Sequence, residues 1–103
     1  MLTVIAQDFI KLEHLDDVLP LYAELVRKTR EEPLCLSYNL HIDQRDPGHF
    51  VFIETWPDKA ALDLHCQTEH FTSLVPKIDS YQRQPGIVSL LEAFTETASQ
   101  DTH

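Results

Sequence analysis

The side chains with the most chemistry to offer crowd into one stretch, Phe50 to Phe71, which holds Glu54, Trp56, His65, His70 and Phe71. His65 falls in the middle of an apolar stripe with Ala61 and Leu62 on a short helix, aimed at the layer that Trp56 or its neighbours face. An imidazole titrates close to neutrality, so it suits proton abstraction near neutral pH. The same ring can also be a packed core histidine with one nitrogen satisfied by backbone. His70 follows Glu69 at a helix start, where it is either a polar residue of the cap region or a pocket group. His65 and His70 lie five apart and do not share a helical face, and no third ligand is in register, so a metal site is not expected. Trp56 and Phe71 are either core or the flat walls that an aromatic ligand needs. Glu54 shares a strand face with Phe50, Phe52 and Trp56. An unpaired buried carboxylate is costly, so an arginine or a backbone amide is its expected partner and its role is read as structural. No Gly-x-Ser-x-Gly elbow occurs, and with only Gly48 and Gly86 there is no glycine-rich phosphate loop.

The elements that must position these groups read in order as strand, helix, strand, strand, helix, strand. Residues 2–10 form a strand with Leu2, Val4, Ala6, Asp8 and Ile10 on one face and Ile5 and Phe9 on the other. Asp16 or Asp17 caps a helix running to about Glu32, with Leu15, Val18, Leu19, Tyr22, Leu25, Val26 and Thr29 on its apolar stripe. Pro20 falls in or beside its first turn, and Pro33 ends it. Cys35 to Ile42 alternates cleanly, with Tyr38, Leu40 and Ile42 on one face and Ser37, Asn39 and His41 on the other. Asp46-Pro47-Gly48 reads as the turn into a strand over 50–56. Asp58 caps a helix to about Gln67, and a second helical piece follows that Pro76 kinks or restarts. Pro85-Gly86 reads as a turn, and Ile87 to Phe94 as the last strand. His14, His41, His49 and His103 are scattered and read as surface.

A chain of 103 residues is one domain, here 2–94 with a polar tail at 95–103. It buries roughly 65% of the surface its unfolded form exposes, enough to fold without staples. A net charge of −9, spread along the chain, disfavours nucleic acid and anionic membranes as partners. Cys35 and Cys66 form no spaced framework and read as two reduced, buried thiols. No apolar run reaches the ~18 residues of a spanning helix, and no basic region precedes an apolar core at the N-terminus, so the default address is the cytoplasm.

The order βαββαβ with right-handed crossovers gives an α+β, ferredoxin-like antiparallel sheet with the helices on one face. The helices cover one side only, yet strands 2–10, 50–56 and 87–94 are apolar on both. The expected cover is the same face of a second copy, giving a homodimer packed sheet to sheet.

Several segments then occur together: Glu32-Pro33-Leu34-Cys35-Leu36-Ser37-Tyr38, Asp46-Pro47-Gly48-x-Phe50-Val51, Glu54-x-Trp56-x-Asp58, Ala61-Leu62-x-x-His65 and Glu69-His70-Phe71. In this order and spacing they resemble the antibiotic biosynthesis monooxygenase (ABM) domain family, in its quinol-monooxygenase-like branch. The resemblance implies a dimeric α+β barrel with a pocket in each subunit between sheet and helices. It implies a monooxygenase that oxidises a small quinol or dihydroxy-aromatic compound with O₂ and without a cofactor. On this chain it makes His65 the catalytic residue and maps Asn39, Trp56, His70 and Phe71 onto the substrate-binding lining; Asn39, on the mixed face of the second strand, is either a hydrogen-bonded interface residue or a donor to a developing oxyanion. Leu34 stands where many relatives carry glycine, which alters the turn into the second strand. Val75 takes the place of the axial histidine of haem-degrading relatives, which disfavours haem. Two other readings keep the pocket: an isomerase of a small polar carbonyl compound, and a non-catalytic module that binds a small ligand.

Overall fold

The structure, a computed structural model, describes residues 1–95. Its elements are β1 (Leu2–Ile10), a 3₁₀ turn (Leu12–His14), α1 (Leu15–Arg30), β2 (Ser37–Asp43), β3 (Asp46–Trp56), α2 (Lys59–His65), α3 (Glu69–Asp79) and β4 (Gln82–Leu91). The strands form one sheet in the order β2-β3-β1-β4, with every neighbouring pair antiparallel. This is the ferredoxin-like α+β arrangement, with the helices on one face.

Strand parity decides which side chains reach the core. Val4, Ile10, Tyr38, Phe50, Phe52 and Trp56 all point toward the helices and are buried, packed on Val18, Tyr22 and Leu25 of α1 and on Leu74 and Ile78 of α3. Each fully buried large apolar side chain contributes about 1.5–3 kcal/mol of transfer free energy. Tyr22 lies against Phe50 with ring centroids 4.5 Å apart and donates its hydroxyl to Asp8 at 2.7 Å, so the polar residue of β1's inner face is satisfied.

Several boundaries depart from the sequence expectation. The hairpin turn is Gln44-Arg45, and Asp46-Pro47-Gly48 already belongs to β3. Gly48 is buried there, and a Cβ would collide with the Ile10 carbonyl oxygen, so close approach rather than turn geometry requires glycine. Pro85-Gly86 is likewise inside β4, at a register shift against β1 where a Cβ on Gly86 would come within 2.9 Å of the Gln7 carbonyl. β2 starts at Ser37 rather than Cys35, and β4 ends at Leu91 rather than Phe94.

The helices differ too. His14 occupies the N-cap position of α1, while Asp16 and Asp17 sit inside its first turn, where their charge complements the helix dipole. Pro20 lies beyond that turn, within the helix, which ends at Arg30 before Pro33 is reached. α3 runs through Pro76, because the Ser80 amide still donates to the Pro76 carbonyl and Thr68 caps the start through its bond from the Phe71 amide. α2 follows the expectation: the Asp58 carboxylate accepts the Ala61 amide at 2.9 Å, and Ala61, Leu62 and His65 are buried.

Against expectation, Cys35 is only half-buried and Cys66 is exposed, because Cys66 follows the buried His65 at the end of α2. His49 is not a plain surface residue. It stacks on Phe9 at 4.8 Å and bonds Asp43 and Gln7 at 3.0 and 2.8 Å. The surface reading of His103 and the tail from residue 96 lie outside the described residues.

Candidate active site

A cleft of about 720 Å³ opens between α2, α3 and the inner faces of β1 and β4. Its apolar walls include Val4, Phe52, Leu62, Phe71 and Val75, and its polar groups include Asp8, Glu54 and His65. α1 and α2 lie over β2 and β3, and β4 is left largely uncovered, so Val88 and Leu90 on its helix side stay exposed.

His65 is the best-positioned base in this cleft. α2 ends at His65, and burial of the Ala61–Leu62 face against the sheet drives the ring inward until it is 2% exposed. Trp56, Phe71 and Tyr38 surround it with centroids at 4.7, 5.0 and 5.5 Å. Its Nδ1 donates to Glu32 Oε2 at 2.8 Å, which fixes the neutral tautomer with the lone pair on Nε2. Nε2 has no hydrogen-bond partner among the described residues and is not sealed off, so it is the nitrogen offered to a ligand in the cleft. Burial pushes the ring below its ordinary pKa, outweighing the hydrogen bond and charge of Glu32 that act in the other direction. The pair is therefore a hydrogen bond between a neutral imidazole and a carboxylate, not an ion pair.

His70 is placed differently from the sequence expectation. It does not line the cleft; its Nε2 donates to the same Glu32 oxygen at 2.6 Å, with the Thr68 hydroxyl 3.2 Å away. One carboxylate from the α1–β2 loop thus brings together two histidines that helical spacing kept apart. Glu32 is the residue that sequence reasoning missed as a site group. Its one sequence signal was an acid just past a helix C-terminus, where the dipole favours bases.

Glu54 is 4% exposed, and its partner is neither arginine nor backbone: Oε1 accepts the Trp56 indole N–H at 2.9 Å. The second carboxyl oxygen lines the cleft without a hydrogen bond among the described residues. Burial raises its pKa to about 7; the indole bond works against this rise and the charge of Glu32 adds to it. At neutral pH much of this carboxyl is protonated, so it can offer a proton or a hydrogen bond into the cleft. Trp56, 0% exposed, stands behind His65 and Glu54 as their support rather than on the cleft surface, while Phe71 does line the cleft.

Asn39 does not belong to this site. It is exposed on the opposite sheet face and accepts from Arg30 at 3.0 Å. The alternation of β2 turns Tyr38 inward and Asn39 outward, so the mapping onto the pocket fails on strand parity.

The family profile described as antibiotic biosynthesis monooxygenase matches residues 1–77. A crystal structure of an antibiotic biosynthesis monooxygenase is 69% identical, with a TM-score of 0.91, covering 92% of this chain and all of that one. The crystal structure of PA3566 from Pseudomonas aeruginosa is 33% identical at a TM-score of 0.82, covering 91% of this chain and 94% of its own. Among sequence relatives, sll1783 of Synechocystis sp. (strain ATCC 27184 / PCC 6803 / Kazusa) is 30% identical over 89 residues, or 85% of this chain; the alignment spans 60% of that protein's length. The chain belongs to the antibiotic biosynthesis monooxygenase family.

Proposed function

We propose that the cleft binds a small quinol or dihydroxy-aromatic compound and oxidises it with O₂, without flavin, haem or metal taking part in the step. The observation that carries this reading is the Glu32–His65 pair, which presents an unprotonated Nε2 to a cleft walled by Phe52 and Phe71. His65 takes a phenolic proton. The resulting anion passes one electron to O₂, and the phenoxyl radical and superoxide combine at a ring carbon. The hydroperoxide loses water, leaving one oxygen on a hydroxylated quinone and the other in the water. Glu54, rather than Asn39, is the group placed to donate a hydrogen bond or proton to the developing oxygen charge.

The test is oxygen uptake over a panel of hydroquinols. Wild type should consume one O₂ per product, and His65→Ala should lose about 10²–10⁴-fold in rate, the usual weight of general-base assistance. Absence of turnover across the panel, or unchanged turnover in His65→Ala, counts against the reading.

One observation favours a second reading. A base and a half-protonated carboxyl facing one cleft also suit a proton shuttle between adjacent carbons, as in isomerisation of a small polar carbonyl compound. Product would then form with no oxygen consumed. A non-catalytic module would be supported by a pocket packed shut, and the open cleft offers no such support.

We further propose that the uncovered face of the sheet closes on a second copy. Ile53, Ile87 and Leu91 are 40%, 47% and 44% exposed there, beside Ile5, Phe9 and Val51.

A further inference from the structure

We propose that Glu32, His65 and His70 form a binding site for a divalent transition-metal ion, zinc above all, and that filling it converts His65 in the cleft from a proton acceptor to a proton donor. Two imidazoles and one carboxylate are a donor set that zinc takes with a water in the fourth position. The three ligand atoms already lie within 4.8 Å of one another, and both rings aim a nitrogen at the same carboxylate oxygen. Zinc bonds of about 2.0–2.1 Å in a tetrahedron need donor atoms about 3.3 Å apart. The Glu32 contacts of 2.8 and 2.6 Å therefore have to open by well under an ångström, and the two ring nitrogens, which lie within 4.8 Å of each other, have to settle at the same spacing, so filling the site moves a ring as well as the carboxylate. Each ligand comes from a different segment, the α1–β2 loop, α2 and α3, so the site exists only in the folded chain. The ligands are largely shielded from bulk solvent: the side chains of His65, His70 and Glu32 are 2%, 13% and 13% exposed.

The consequence for the cleft follows from the ring's single N–H. With Nδ1 donating to Glu32, the lone pair is on Nε2. With a metal on Nδ1, the proton of the neutral ring must sit on Nε2, and the base is silenced. This second half rests on the oxygenase reading; the binding site itself does not.

The experiment titrates tag-free full chain with Co²⁺ and then Zn²⁺. The expected result is one equivalent of Co²⁺ with the intense visible absorption of a four-coordinate ion, displacement by Zn²⁺, and a zinc-dependent rise in Tm. His65 ring ¹⁵N shifts should change from the Nδ1–H to the Nε2–H pattern. His70→Ala and His70→Gln should each weaken binding by more than the roughly 10–100-fold that loss of an outer-shell partner costs. His70→Gln, which retains a hydrogen bond to Glu32, decides the matter if His70→Ala fails to fold. No saturable binding, or wild-type affinity in folded His70→Gln, overturns the site. In the oxygen-uptake assay, zinc should suppress wild type and spare His70→Gln at the same concentration. Bound zinc with undiminished turnover or an unchanged tautomer overturns the switch. A wild type that turns over no quinol but binds zinc refutes the oxygenase reading and leaves the site standing.

Discussion

At the scale of single residues, the site depends on groups whose protonation burial has shifted in opposite directions. Glu54 has a folded pKa of about 7 against an ordinary 4.5, so the folded chain holds a proton that the unfolded chain releases in that window. Stability from this group is therefore highest in acid and falls as pH rises through the window, by up to about 3 kcal/mol. His65, pushed down by burial, acts the other way: the folded state resists its protonation, so stability falls as pH drops below the ordinary imidazole range. Glu54→Gln keeps an acceptor for the Trp56 indole and removes one of the two titrations. Urea unfolding from about pH 5 to about pH 8 should show wild type losing stability relative to this variant as pH rises; parallel curves would refute the assignment. The sequence showed His65 as the pocket imidazole and Glu54 as a troublesome buried acid. It could not show Glu32, because a partner 33 residues from His65 is chosen by the packing of a loop that carries no periodicity.

At the scale of elements, close approaches explain where sequence reading went astray. Pro-Gly pairs normally punctuate chains, so Asp46-Pro47-Gly48 and Pro85-Gly86 read as turns. In the structure both lie in strands, and each glycine is needed because neighbouring backbone leaves no room for a Cβ, a fact of register that only the assembled sheet reveals. Gly48→Ala should destabilise by about 1–3 kcal/mol, as overpacking does, measured by urea unfolding, and an unchanged midpoint would contradict the crowding. Local signals fared better where the chemistry is local. Asp58 was legible as a cap, and Asp58→Ala should cost about 1 kcal/mol. Because α2 carries His65, the same variant should also raise the mobility of that ring in relaxation measurements.

At the scale of the whole molecule, apolarity on both faces of three strands was legible in the sequence, and with it a sheet that helices cover on one side only; which side they take was settled by packing. Parity also spoke against Asn39, since β2 places it opposite Tyr38; the family mapping overrode that signal. The uncovered face sets a prediction: sedimentation should find a dimer, and Ile53→Lys, a charge in the middle of the face, should shift it to monomer. A wild-type monomer at micromolar concentration would remove the second copy from the account.

β4 is at once one of the sheet's two free margins and the sill of the cleft, with Pro85 and the register slip beside it hindering a foreign strand from annealing there. A guest lodged at that sill would stand between the bare margin and other chains. Occupancy should then register as colloidal behaviour, with slower clouding on heating in the presence of a well-fitting aromatic, whatever chemistry the guest undergoes.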